Sequence, residues 1–130
     1  MKKLCLLLIL AGCSFGFSIQ NHVKFEEIYK IKSNKDKIVL MIYTAKSCPQ
    51  CAYMKKKVFT QKNIENFMDK NFVVLEKDID KDDLPENFEY IGIPTMFFVN
   101  SNGEQIDKFV GSTRADEFLE VLKNAKGKQK

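Results

Sequence analysis

The chain has 130 residues, of which 45% are apolar and 29% charged, an ordinary balance for a globular protein with room for one domain. The formal net charge is +4, but two of the 21 basic residues, Lys2 and Lys3, stand at the extreme N-terminus, and the others are spread among 17 acidic ones. This is no charge field of the kind nucleic-acid binding needs, so no nucleic-acid partner is expected.

Lys2 and Lys3 precede an apolar run from Leu4 to Ala11 and then small residues. The pattern predicts an export signal over residues 1–20 and a single domain over residues 21–130. The run is short of the roughly 20 apolar residues that cross a bilayer, which makes an uncleaved anchor reaching Ile19 the weaker alternative. Leu10-Ala11-Gly12-Cys13 resembles a bacterial lipobox, in which the cysteine is lipidated and becomes the new N-terminus. The alternative is ordinary cleavage near Gly16-Phe17-Ser18, with Cys5 and Cys13 discarded. Both readings deliver the domain to an oxidising compartment, the periplasm or cell envelope, where disulfides persist. Lipidation at Cys13 would add a membrane tether.

Val23, Phe25, Ile28, Tyr29 and Ile31 predict an amphipathic helix over His22 to Asn34. Lys37 to Thr44 holds the continuous β-forming run Ile38-Val39-Leu40-Met41-Ile42-Tyr43, as expected of a central strand buried on both faces. A helix should open near Cys48, because Pro49 suits a first helical position. Cys51, Met54 and Val58 share one face of it, with Lys55, Lys56 and Lys57 largely outward. A short helix from Asn63 to Asp69 leads into a strand at Phe72-Val73-Val74-Leu75, parallel to the first strand. Leu84 to Tyr90 is expected as another short helix closed by Gly92. Thr95 to Val99 is a strand, Asn102-Gly103 signals a two-residue hairpin, and Glu104 to Val110 returns antiparallel with a slip between Ile106 and Phe109 or Val110. A helix from Thr113 to Asn124 ends the domain, and the lysine-rich tail beyond it should fray.

The chemistry concentrates in Cys48-Pro49-Gln50-Cys51. Two cysteines one turn apart at a helix start can exchange electrons as dithiol and disulfide, because unpaired N–H groups and the helix dipole favour a thiolate on the first. Lys46 adds positive potential. A purely structural disulfide across two residues closes too small a loop to restrain the unfolded chain. Zinc normally needs four ligands, and beyond this pair only His22 offers an imidazole. Copper(I) held by the two thiolates, with a methionine as a third soft ligand, suits soft-ligand preferences better and makes a copper-binding or delivery module the alternative function. Asp78, Asp80, Asp82, Glu86 and Glu89 echo a calcium loop, but Asp83 stands where the turn needs glycine and Pro85 interrupts it, so a solvated turn is expected.

The order of strand, Cys-x-x-Cys helix, strand, Gly92-Ile93-Pro94-Thr95, strand, Asn-Gly hairpin and terminal helix resembles the thioredoxin-like superfamily from about residue 22 to 125. The stretch from Cys51 to Phe59, with Asn71-Phe72-Val73-Val74, looks like its exported branch, which includes the C-terminal domain of the electron carrier DsbD. The resemblance implies an α/β three-layer sandwich, a central mixed β-sheet flanked by helices. It implies a thiol–disulfide oxidoreductase with no cofactor or metal, in which Cys48 is the nucleophile and Cys51 resolves the mixed disulfide. It also implies a cis proline at Pro94, which with Ile93 presents backbone to an extended substrate. Partners would be exported protein thiols or disulfides and an upstream membrane electron donor.

Two departures matter. Ser47 stands where thioredoxins carry tryptophan, and Ile42 aligns with their buried acid. Glu76, on the adjacent strand, is a candidate substitute for proton transfer, against the plainer reading of an exposed strand-end glutamate. The Pro49-Gln50 dipeptide lacks the histidine that stabilises the reduced form of dedicated oxidases, which favours the reductase direction.

Overall fold

The computed structural model describes residues 19–21 and 36–129. Cys5, Cys13 and the helix expected over His22 to Asn34 lie outside the described residues. Five strands form one mixed sheet: β1 (Ile19–Asn21), β2 (Ile38–Thr44), β3 (Phe72–Asp78), β4 (Thr95–Val99) and β5 (Gln105–Val110), in the order β1-β3-β2-β4-β5. β1 and β2 pair with β3 in parallel, while β4 is antiparallel to both β2 and β5. β1 was not legible as a strand, and it spans the expected junction between leader and domain.

All seven residues of β2 are buried, as a central strand covered on both faces requires. Period-two alternation divides its neighbours between two cores. Ile38, Leu40 and Ile42 join Val74, Met96 and Phe98 on one face, beneath the helices. Val39, Met41 and Tyr43 join Val73, Leu75, Phe97 and Val99 on the other. Each fully buried Leu, Ile or Phe contributes roughly 1.5–3 kcal/mol, so the strand order is set mainly by these two apolar faces.

α1 (Pro49–Tyr53) continues without a break into a single π-helical turn, Met54–Val58, closed by a 2.8 Å hydrogen bond from the Phe59 N–H to the Met54 carbonyl. α2 (Lys62–Asn71) buries Ile64 and Met68, and α3 (Ala115–Gly127) buries Phe118, Leu122 and Ala125. Phe118 stacks on Phe59 with ring centroids 5.5 Å apart, which ties α3 to the end of the α1 segment.

Two expectations are corrected. Leu84 to Tyr90 is not a helix. Leu84, Phe88, Tyr90 and Ile93 pack on the second core at irregular spacings, and Asn87 adopts a left-handed φ of 71° shortly after Pro85, so the segment forms an aromatic-pinned loop instead. The hairpin between β4 and β5 also has a longer connection than two residues. Asn100 Oδ1 accepts the N–H groups of Asn102 and Glu104, both at 3.0 Å, and Gly103 takes the positive φ of 81°. This side chain organises the turn as an Asx motif. A bulge opposite Phe98 and Val99 absorbs the slip in β5, so that Ile106 and Phe109 both reach the helix-covered core.

Tyr43 lies fully buried against the loop, edge-on to Phe97 at 4.8 Å and to Tyr90 at 5.4 Å. Burial, and then the neighbouring Tyr90, push its phenol up from 10.0 to about 12. Between those two values the unfolded chain ionises Tyr43 while the folded chain does not. The stabilisation it provides is therefore complete below pH 10.0 and lost as pH rises towards 12. Chemical denaturation should show wild type losing about 1–2 kcal/mol more than Tyr43→Phe over this interval. Parallel losses in the two proteins would contradict this assignment.

Candidate functional site: a dithiol at a helix N-terminus

β2 runs out at Thr44 and a short loop delivers Cys48 to the start of α1. Cys48 is the N-cap residue, extended at φ −99° and ψ 104°, and Pro49 follows at the first helical position. The Cys48 sulfur accepts the backbone N–H of Cys51 at 3.1 Å. It thereby satisfies one of the N–H groups that a helix start leaves unpaired and lies in the positive end of the local dipole field. Cys48 and Cys51 are joined as a disulfide with Cα atoms 5.3 Å apart. Cys48 is partly exposed, while Cys51 is 1% exposed beneath the helix. The sequence reading expected this asymmetry between an accessible and an occluded sulfur.

Ile93-Pro94 is a cis peptide bond, as expected. Two hydrogen bonds hold it at the entrance of β4. The Pro94 carbonyl accepts the Gly111 N–H at 2.8 Å, and Thr95 Oγ1 donates to the Gly92 carbonyl at 2.6 Å. Gly111 has a φ of +95°, a conformation that favours glycine, so the end of β5 is shaped to support the proline. Ile93 shares with Ser47, Cys48, Pro49 and Gln50 the lining of an open groove of about 450 Å³. Cys48 and Ile93 are thus brought to one surface. Ser47, a small side chain, lines the same groove.

The disulfide has a second, more polar side. A cavity of about 310 Å³ reaches from Lys46 and Cys48, past Cys51, to Thr44, Lys55 and Glu76. Glu76 is not a strand-end carboxylate in solvent. It lies within β3 with its side chain 17% exposed, paired in register with Ile42. On β3 it follows Phe72 and Val74 at period two, and so shares with them the face covered by α1. Its Oε1 accepts from Thr44 Oγ1 at 2.9 Å and from Lys55 Nζ at 2.7 Å. Lys55 was expected to point outward; it is drawn inward to this carboxylate, while Lys56 and Lys57 remain exposed. Thr44 and Lys55 went unnoticed in the sequence, although Thr44 follows Ile42 at the spacing that places both on one strand face. Among the described residues no group of three or more His, Cys, Asp or Glu could hold a metal ion, and the acidic turn at residues 78–82 is closed by its own backbone-to-carboxylate bonds.

Comparison with known proteins agrees with this geometry. The family described as a thioredoxin-like domain matches residues 25–126. The chain belongs to that family. Protein disulfide-isomerase A3 of Gallus gallus is 27% identical over 99 residues, which is 75% of this chain, and the chain spans only 19% of that protein's length. Among solved structures, a protein of Bacteroides thetaiotaomicron named as a candidate disulphide-isomerase is 26% identical with a TM-score of 0.72, covering 85% of this chain and 93% of its own. The reduced C-terminal domain of DsbD from Neisseria meningitidis superposes with a TM-score of 0.62 at 22% identity, covering 82% of this chain and 99% of its own. The fold is thioredoxin-like, and the Cys48–Cys51 disulfide stands at the start of α1.

The unequal burial of the two sulfurs has a direct chemical consequence. Brief iodoacetamide treatment of the reduced protein should alkylate Cys48 before Cys51, as read by peptide mass mapping. Equal labelling of the two would contradict the placement of Cys48 at an open helix end.

Proposed function

We propose that the chain is an exported thiol–disulfide oxidoreductase that works mainly as a reductase of protein disulfides. The observation that carries this is the Cys48–Cys51 disulfide capping α1, with the accessible sulfur on the same groove as Ile93 of the cis-proline segment. In the reduced protein the Cys48 thiolate attacks one sulfur of a partner's disulfide. A Cys48–partner disulfide forms and the other partner sulfur leaves as a thiolate. Cys51 then attacks Cys48, restoring the internal disulfide and releasing the second partner thiolate. Two electrons pass to the partner, and its two thiolates take up the two protons that the dithiol gives up. Ile93 and Pro94 hold the partner's extended backbone beside Cys48 during both steps.

Direction follows from the motif. Pro49 and Gln50 place no histidine beside Cys48 to stabilise its thiolate further, so the reduced form remains a ready donor. A membrane electron donor upstream returns the protein to its dithiol form. Export is supported by Lys2-Lys3 and the apolar run to Ala11, and tethering by the lipobox-like Leu10-Ala11-Gly12-Cys13. No described helix is long and apolar enough to cross a membrane.

A Cys51→Ser variant expressed in the cell envelope should accumulate mixed disulfides through Cys48 with exported proteins, visible as reducible high-mass bands. If no such adducts form, and the reduced wild type instead binds one copper(I) without reducing insulin, the oxidoreductase reading is wrong. Cys13→Ala should move the full-length protein from the membrane to the soluble fraction. Unchanged fractionation would remove the lipid anchor from the proposal.

A further inference from the structure

Resolution of the mixed disulfide needs a destination for a proton. Cys51 is a buried thiol at that stage, and it becomes a nucleophile only as a thiolate. Its own face of the sheet offers no acid on β2, where Ile42 occupies the position directly across from Glu76. The polar cavity behind the disulfide reaches both Cys51 and Glu76. Glu76 is held rather than free to swing. Thr44 and Lys55 both bind the same oxygen, Oε1, so protonation of Oε2 breaks neither of these contacts.

Resting on the oxidoreductase reading above, we propose that Glu76 is the proton acceptor for the Cys51 thiol, with Lys55 and Thr44 as the residues that position it. In the resolving step the Cys51 S–H proton passes through water in the cavity to Glu76 Oε2. The Cys51 electron pair forms the bond to Cys48 Sγ, the bond from Cys48 to the partner sulfur breaks, and the partner leaves as a thiolate. The proton then returns from Glu76 to that thiolate or to solvent. In the opposite direction the same carboxyl group donates to the Cys51 thiolate when the internal disulfide is opened. Lys55 thus serves a purpose its neighbours Lys56 and Lys57 do not: it holds a carboxylate in place on an otherwise apolar strand face.

Ellman's disulfide separates the steps in one trace, because attack by Cys48 releases the first thionitrobenzoate and resolution by Cys51 releases the second. In Glu76→Gln the second release should slow roughly 10²-fold, the low end of what a positioned acid or base contributes. The first release should change by less than about twofold, since Cys48 draws on the helix terminus and not on Glu76. The charged groups around the cavity besides Glu76 are Lys46, Lys55, Asp78 and Lys81. All four are retained in Glu76→Gln, so the difference between its pH profile and that of wild type reports on Glu76. The second release in Glu76→Gln should climb more steeply with hydroxide than in wild type. Glu76→Asp should recover part of the rate, and Lys55→Met should lie between wild type and Glu76→Gln. An unchanged second release in Glu76→Gln, or equal slowing of both releases with no change in pH profile, would overturn the relay. Adducts trapped by Cys51→Ser would in that case leave the oxidoreductase reading standing.

Discussion

A sulfur at the open end of a helix must be held by something stiffer than the loop that carries it. Cys48 meets this requirement through one local contact, the 3.1 Å hydrogen bond from the Cys51 N–H, and through the strand that precedes it. β2 is buried along its whole length, so its C-terminal end cannot shift without disturbing both cores. Pro49 fixes the backbone dihedral at the first helical position, and buried Cys51, Met54 and Val58 seat the helix on the sheet. Remove the capping geometry and the two sulfurs become an ordinary pair of small apolar residues.

The same constraint organises the two sides of the site. On one side, the cis-proline segment is anchored by Gly111 and Thr95 and brings Ile93 to the groove beside Cys48. On the other, the parallel pairing of β2 with β3 sets Glu76 next to Ile42, and the helix that carries Cys51 also carries Lys55 above it. In the proposed reaction a partner approaches from the first side while protons move on the second. The polar side is lined by the ends of β2 and β3 and by the α1 segment, and its Lys55–Glu76 pair is only partly shielded from solvent.

Much of this was legible in the sequence because its strongest signals are local. The apolar run of β2, the Cys-Pro start of α1, the alternation of β3 and the Gly-Ile-Pro-Thr approach to β4 each encode their structure within a few residues. What escaped the sequence was decided by packing at a distance. Leu84, Phe88 and Tyr90 carry enough apolar character to suggest a helix, but the aromatic face of Tyr43 and Phe97 holds them in an irregular loop. Asn102-Gly103 marked the hairpin, yet Asn100, two residues earlier, sets its length. Glu76 could be singled out from its strand, whereas Lys55 could not be distinguished from Lys56 and Lys57 until the π-helical turn and the pairing of β3 placed it over the carboxylate.

The central claim is that Cys48 and Cys51 act together as a two-electron donor to protein disulfides. Its most direct measurement is a thiol count on the fully reduced protein after anaerobic incubation with insulin, with the two proteins separated before titration. The account predicts that two thiols disappear from the chain for each insulin disulfide opened, and that Cys48→Ser opens none. Retention of both thiols by the wild type, with the insulin disulfides intact, would contradict it.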